Sequence, residues 1–144
     1  MPVTVFTEKT TLGDLIRYEH DQQYTRESAK IFNRSLVAIT LANPMGYPLK
    51  ADGANDFAFA KATEEANVIG FLLSTKKVDA LAVNGSIKAA VLLRGPAIVA
   101  QEFLPATDYA AAAFTIATIV TAAAAFNPPV LIRPEEDVTS TQTT

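Results

Sequence analysis

Short apolar runs alternate along this chain with polar, turn-forming clusters, a spacing that predicts a protein built mainly from short strands. Val3, Thr4, Val5, Phe6 and Thr7 are β-prone and give way to the polar stretch Thr10-Thr11-Leu12-Gly13-Asp14. A strand at 2–11 has no second strand beside it in sequence and cannot satisfy its own backbone groups. Two readings follow. The segment is a frayed chain end, or an arm that becomes a strand when a partner offers a sheet edge. Residues 14–30 begin strand-like with Leu15-Ile16-Arg17-Tyr18 and continue as a charged, exposed connection. The apolar runs at 31–32, 36–41 and 68–74 read as strands. They are separated by Asn33-Arg34-Ser35, by Asn43-Pro44-Met45-Gly46-Tyr47-Pro48 and by Asp52-Gly53. Gly70, inside one apolar run, predicts a bulge or a close backbone approach. Residues 78–83 and 86–93 flank Asn84-Gly85, which predicts a type I′ hairpin. Residues 97–99 open a further strand, and Val130–Arg133 reads as the last one.

The pattern changes at Asp108, which is placed to cap a helix running from Tyr109 to Phe126. The helix is single, or two shorter ones broken near the threonines. Asn127-Pro128-Pro129 stops it. Because 109–126 carries no charge and approaches spanning length, a membrane span is the competing reading. Alanine adds little to insertion, Thr115, Thr118 and Thr121 interrupt the stretch, and no Lys or Arg flanks it. The balance favours a helix packed against a sheet or a neighbouring subunit. The fold expected is α+β and β-rich: a compact small β-barrel or sandwich with one Ala-rich helical segment near the C-terminus and a flexible N-terminal arm. Residues 1–11 are the arm, 12–133 the domain, and 134–144 an acidic, Thr-rich tail expected to be disordered.

Composition sharpens this. The 144 residues suit one domain. Hydrophobic residues reach 49% and mean hydropathy is +0.19, high for so small a body. Part of that apolar content is therefore expected to face another subunit or a partner. A net charge of −3 argues against nucleic acid as partner, since phosphate binding needs a basic face. There is no cysteine, which excludes a disulfide scaffold and thiolate metal centres and fits assembly in a reducing cytoplasm. No basic segment followed by an apolar run opens the chain, so no signal peptide is read there.

Candidate chemistry is sparse. Glu19-His20-Asp21 resembles a metal cluster in composition, but three successive side chains diverge on a helix or a strand, and the better reading is a solvated charged loop. His20 is the single histidine. Glu64-Glu65 and Glu135-Glu136-Asp137 lie in polar contexts, where a solvated patch outweighs a tuned acid–base pair. No phosphate-binding glycine loop and no nucleophile-elbow motif is present, and Lys76-Lys77 is too small for a nucleic-acid footprint. The expectation is a non-enzymatic protein with no catalytic residue, metal or cofactor.

The order of segments carries a resemblance. Leu12-Gly13-Asp14-Leu15-Ile16 followed by Tyr24-Thr25-Arg26-Glu27-Ser28 comes first. Next is Asn67-Val68-Ile69-Gly70-Phe71-Leu72-Leu73, leading to Ile87-Lys88-Ala89-Ala90-Val91-Leu92-Leu93-Arg94-Gly95-Pro96-Ala97. Last are the Ala-rich 122–126 and Val130–Arg133. This series, covering most of 12–133, resembles the head-decoration family of lambda-like tailed bacteriophages. Residues 114–121 are longer than the family's pattern, and the acidic tail is additional. The resemblance implies a homotrimer at local three-fold positions on the exterior of the expanded capsid, assembled in the host cytoplasm and incorporated into the virion. Its partner would be the major capsid protein, with neither membrane nor nucleic acid involved. Pro2, Val3, Thr4, Val5, Phe6 and Thr7 would form the capsid-binding arm, with Gly13, Asp14, Arg26 and Glu27 as the family-like motif. Ten extended residues reach about 33 Å, enough to cross onto an adjacent capsid subunit. Other capsid adaptors or a fibre base are alternatives. A trimeric β-rich enzyme would need clustered acids, a serine or an aromatic lid at recognisable spacing, and the sequence supplies none.

Overall fold

The computed structural model of the chain describes residues 15–19, 25–53 and 55–134. The arm residues Pro2–Thr7, Gly13, Asp14, His20 and the acidic stretch from Glu135 lie outside them.

The centre of the molecule is a closed five-stranded barrel. Strands β2 (Arg26–Phe32), β5 (Asp56–Phe59), β4 (Pro48–Asp52), β6 (Val68–Leu72) and β8 (Ser86–Leu92) close in the order β2-β5-β4-β6-β8. Each strand pairs with a neighbour on both sides over part of its length, β6 meeting β8 only at Val91 and Leu92. A barrel this narrow is filled by its own side chains. Ile31, Leu49, Phe71, Leu72, Val91 and Leu92 are fully buried in the core, while Ser28 and Lys30 of β2 face outward. The fold is thus β-rich and compact, with a barrel at its core.

Gly70 performs both roles that its position in an apolar run suggests. The β4–β6 register shifts there, from Leu49 opposite Gly70 to Lys50 opposite Val68. A Cβ on Gly70 would lie 2.7 Å from Val91 Cγ1 and 3.3 Å from the Leu92 carbonyl. Only glycine lets β8 pass this close.

The expected hairpin across Asn84-Gly85 does not form. Strand β7 (Val78–Leu81) pairs antiparallel with β3 (Ile39–Leu41), whereas β8 pairs with β2 along its whole length and with β6 at one end. Asn84 does take a positive φ of 63°, but in a turn closed by the Gly85 N–H on the Ala82 carbonyl at 2.8 Å. The reason is non-local. The backbone of Asn33 captures the loop, accepting from the Asn84 N–H at 2.8 Å and donating to the Gly85 carbonyl at 2.9 Å, so β8 starts on β2 instead of folding back on β7.

The Ala-rich region also differs from expectation. Helix α1 covers only Ile116–Ala124, with Thr115 rather than Asp108 at its start. The Asp108 carboxylate is buried and turned inward. Its Oδ1 accepts from the N–H groups of Ala110 (2.8 Å) and Ala112 (2.9 Å), and its Oδ2 accepts from the Ala62 N–H at 2.9 Å. These bonds bend 108–113 into a loop in which Ala111 has a φ of 63°, followed by a bridge between Thr107 and Ala113. The helix buries Ile119 and Ala123 and turns Ala117, Thr121 and Ala124 outward, so it is one-sided. Among the described residues, no helix is long and apolar enough to cross a membrane.

A second, three-stranded sheet flanks the barrel. Strand β9 (Ala97–Ala100) lies between β1 (Ile16–Glu19), antiparallel to it, and β10 (Val130–Arg133), parallel to it. The strands expected from residue 97 and over Val130–Arg133 are therefore present. Gly95 fixes their common start: a Cβ there would stand 1.8 Å from the Pro129 carbonyl oxygen, and the Gly95 N–H donates to the Pro128 carbonyl at 2.8 Å.

Candidate functional site

Among the expected motif residues, Arg26 and Glu27 fall within the described residues, and they diverge. Arg26 turns toward β1 and donates its guanidinium Nε to Glu19 Oε2 at 2.8 Å, while its Nη2 pairs with Oε1 of the same carboxylate. The Thr25 hydroxyl donates to that carboxylate as well. Burial pulls the Glu19 carboxyl upward, but the Arg26 and Thr25 hydrogen bonds and the Arg26 charge outweigh it, and the group titrates below its ordinary range. Glu19 is therefore a clamp joining the end of β1 to the start of β2, and not part of a solvated loop. Glu27, the next residue, is exposed and lies 3.8 Å from Arg94.

Glu64 and Glu65 also part company. Glu64 ion-pairs with Lys50 and accepts from the Lys61 N–H at 3.0 Å. Glu65 is buried and accepts from the Thr115 N–H at 2.7 Å, where its charge meets the positive end of α1. The Thr115 N–H and Glu65's own N–H hold this carboxyl below the usual range. The expected solvated patch is thus corrected: one acid is a surface pair and the other a buried bond to the helix start. Nearby, the Tyr47 phenol donates to the Ala60 carbonyl at 2.7 Å and accepts from the Tyr109 N–H at 3.1 Å. Burial pushes that phenol well above its normal titration range, so it stays neutral. Its ring packs edge-on against Phe59 and Phe114, with centroids 5.4 and 5.7 Å away. Glu65 and Tyr47 thus hold the start of the helix and the 108–113 loop to the barrel, while Glu64 pairs on the surface. Among the described residues, no group of acids and histidines is placed to hold a metal ion, and no buried side-chain polar atom lacks a partner.

The most distinctive surface feature is one that sequence reading passed over as turn punctuation. Asn33 is fully buried and organises residues 33–37 through its carboxamide. Its Nδ2 donates to the carbonyls of Val37 and Leu81, both at 2.8 Å, and its Oδ1 accepts from the Ser35 N–H at 2.9 Å and the Ser35 hydroxyl at 2.6 Å. Arg34 locks the outside: it forks onto Asp52 at 3.1 and 3.0 Å, reaches Asn84 Oδ1 at 3.0 Å and stacks 4.3 Å over the Phe32 ring. This rigid loop holds Leu36 96% exposed and Val37 59% exposed. A single exposed leucine is ordinary, but here seven hydrogen bonds hold the loop that carries two adjacent exposed apolar side chains. The available signal was Asn33-x-Ser35, the pattern of a side chain bonding its own backbone two residues on.

Comparison with models of protein families, with curated proteins and with solved structures finds no match to this chain. Among the described residues, the large apolar side chains left exposed are Leu36 and Val37, with Ile69 on β6, Val83 at the 82–85 turn and Leu131 on β10.

Proposed function

We propose that this chain is a structural protein that works by binding other protein surfaces, and that it is a head-decoration protein seated as a homotrimer on the outside of an expanded phage capsid. The observation that carries the binding role is the Asn33-built loop with Leu36 and Val37 held in solvent. Covering those two side chains is worth about 1.5–3 kcal/mol each, and the preformed loop has little entropy left to lose. The capsid assignment is supported by the ordered resemblance over 12–133, the β-prone segment Val3–Thr7 and a barrel compact enough to act as a rigid plug.

In this reading the arm residues Pro2, Val3, Thr4, Val5, Phe6 and Thr7 add a strand to a sheet of the major capsid protein. One arm binds modestly, because ordering it costs chain entropy. Three arms on one trimer act together, and effective concentration multiplies avidity by about 10²–10⁴. The lattice is then stitched against internal pressure without any chemical step. Removing residues 1–11 tests it: the trimer should persist while co-sedimentation with expanded heads is lost, and retained co-sedimentation would refute the arm's role.

A further inference from the structure

We infer that the groove between β7 and β8 is a strand-binding slot for the acidic segment 135–144 of a second copy of this chain. The two strands are neighbours in sequence but pair elsewhere, β7 with β3 and β8 with β2, and β6 reaches β8 only near its end, at Val91 and Leu92. The last bond on that side runs from the Leu73 N–H to the Ala90 carbonyl at 2.9 Å. Alternate residues of a strand direct their backbone groups to the same side. Lys88 and Ser86 therefore turn N–H and C=O toward the groove, and no strand among the described residues pairs with β8 there. A groove of about 260 Å³ lies along this open edge.

Its lining selects the occupant. Val78, Leu81 and Ile87 contribute an apolar floor, and Lys76, Lys77 and Lys88 stand around it with Asp79 as the opposing acid. Three lysines against one acid give a local charge of +2 on a chain whose net charge is −3. Segment 135–144 begins Glu135-Glu136-Asp137-Val138-Thr139 and contains no basic residue. Ten extended residues span about 33 Å, enough to leave the end of β10 and lie along β8 of a neighbour. Segment 2–11 carries one acid and one base, Glu8 and Lys9, so charge does not select it. Main-chain bonds at Ser86 and Lys88 would supply affinity, and the lysines the preference for an acidic strand. The inference needs only a second copy and stands independently of the capsid reading.

Charge exchange in the full chain tests it. Sedimentation velocity across a concentration series should show self-association of the unaltered chain. It should weaken roughly tenfold in K77E/K88E and equally in E135K/E136K, with recovery when the four changes are combined. All four positions are polar in sequence, and both lysines are exposed. A second measurement, hydrogen exchange at the Lys88 amide, should slow as concentration rises. Self-association indifferent to both reversals overturns the inference, as does a chain that never self-associates. Loss in K77E/K88E without loss in E135K/E136K overturns the assigned occupant. Slow exchange at Lys88 that is independent of concentration places the segment on its own chain and overturns the contact between copies.

Discussion

Asn33 shows how much one buried carboxamide can organise. Substituting Asn33→Ala removes the Nδ2 bonds to the Val37 and Leu81 carbonyls, of which Val37 keeps the Ser35 hydroxyl, and takes away the support of the 34–37 loop. Leaving buried polar groups unpaired costs about 1–3 kcal/mol, so the urea midpoint should fall accordingly and the Leu36 and Val37 amides should exchange faster. Glu19 makes a prediction in pH. Its folded carboxyl titrates below the ordinary glutamate range because, although burial raises it, the Arg26 and Thr25 contacts outweigh that cost. A depressed acid stabilises the fold fully above its unfolded value, and that contribution is lost as pH falls through the folded one. Urea stability should hold from neutrality to about pH 5 and decline below it. Glu19→Gln should lower stability at neutral pH and flatten the acid decline; an unchanged acid limb in that variant would remove Glu19 from the account. At this scale the sequence was partly legible. Gly70 announced itself, since a glycine within an apolar strand has few other uses. The separate fates of Glu64 and Glu65 did not, because they depend on Lys50 and on a helix start fifty residues away.

Elements were legible where local pattern suffices. The strands at 68–72, 97–100 and 130–133 follow from apolar runs bounded by turn residues. The β7–β8 hairpin failed because Asn33, far away in sequence, competes for the turn's backbone more effectively than the two strands compete for each other. The helix began late for a similar reason. Asp108 has good capping chemistry, but its carboxylate is satisfied by Ala62, Ala110 and Ala112 in a loop packed on the barrel. Two substitutions probe the element contacts. Gly70→Ala drives a methyl into Val91 and should cost about 1–3 kcal/mol in chemical denaturation with little change in far-UV circular dichroism. Ile119→Ala empties the buried contact of α1 and should cost about 2–5 kcal/mol; a loss under 1 kcal/mol would mean that the helix is not anchored through that side chain.

At the scale of the whole molecule, the closed barrel, the flanking three-stranded sheet and α1 make up one β-rich fold. The high apolar content divides between the barrel core and the displayed side chains Leu36, Val37, Val83 and Leu131. Leu36→Asp should leave stability within about 0.5 kcal/mol, since the side chain is solvated already, yet it should abolish partner binding if Leu36 sits at the contact. The decisive measurement is titration of the purified chain onto expanded phage heads stripped of their own decoration protein, with unexpanded heads as the comparison and bound copies counted by imaging. The account predicts saturation at three copies per local three-fold position on expanded heads and none on unexpanded ones. Equal uptake by both, or none by either, would contradict it.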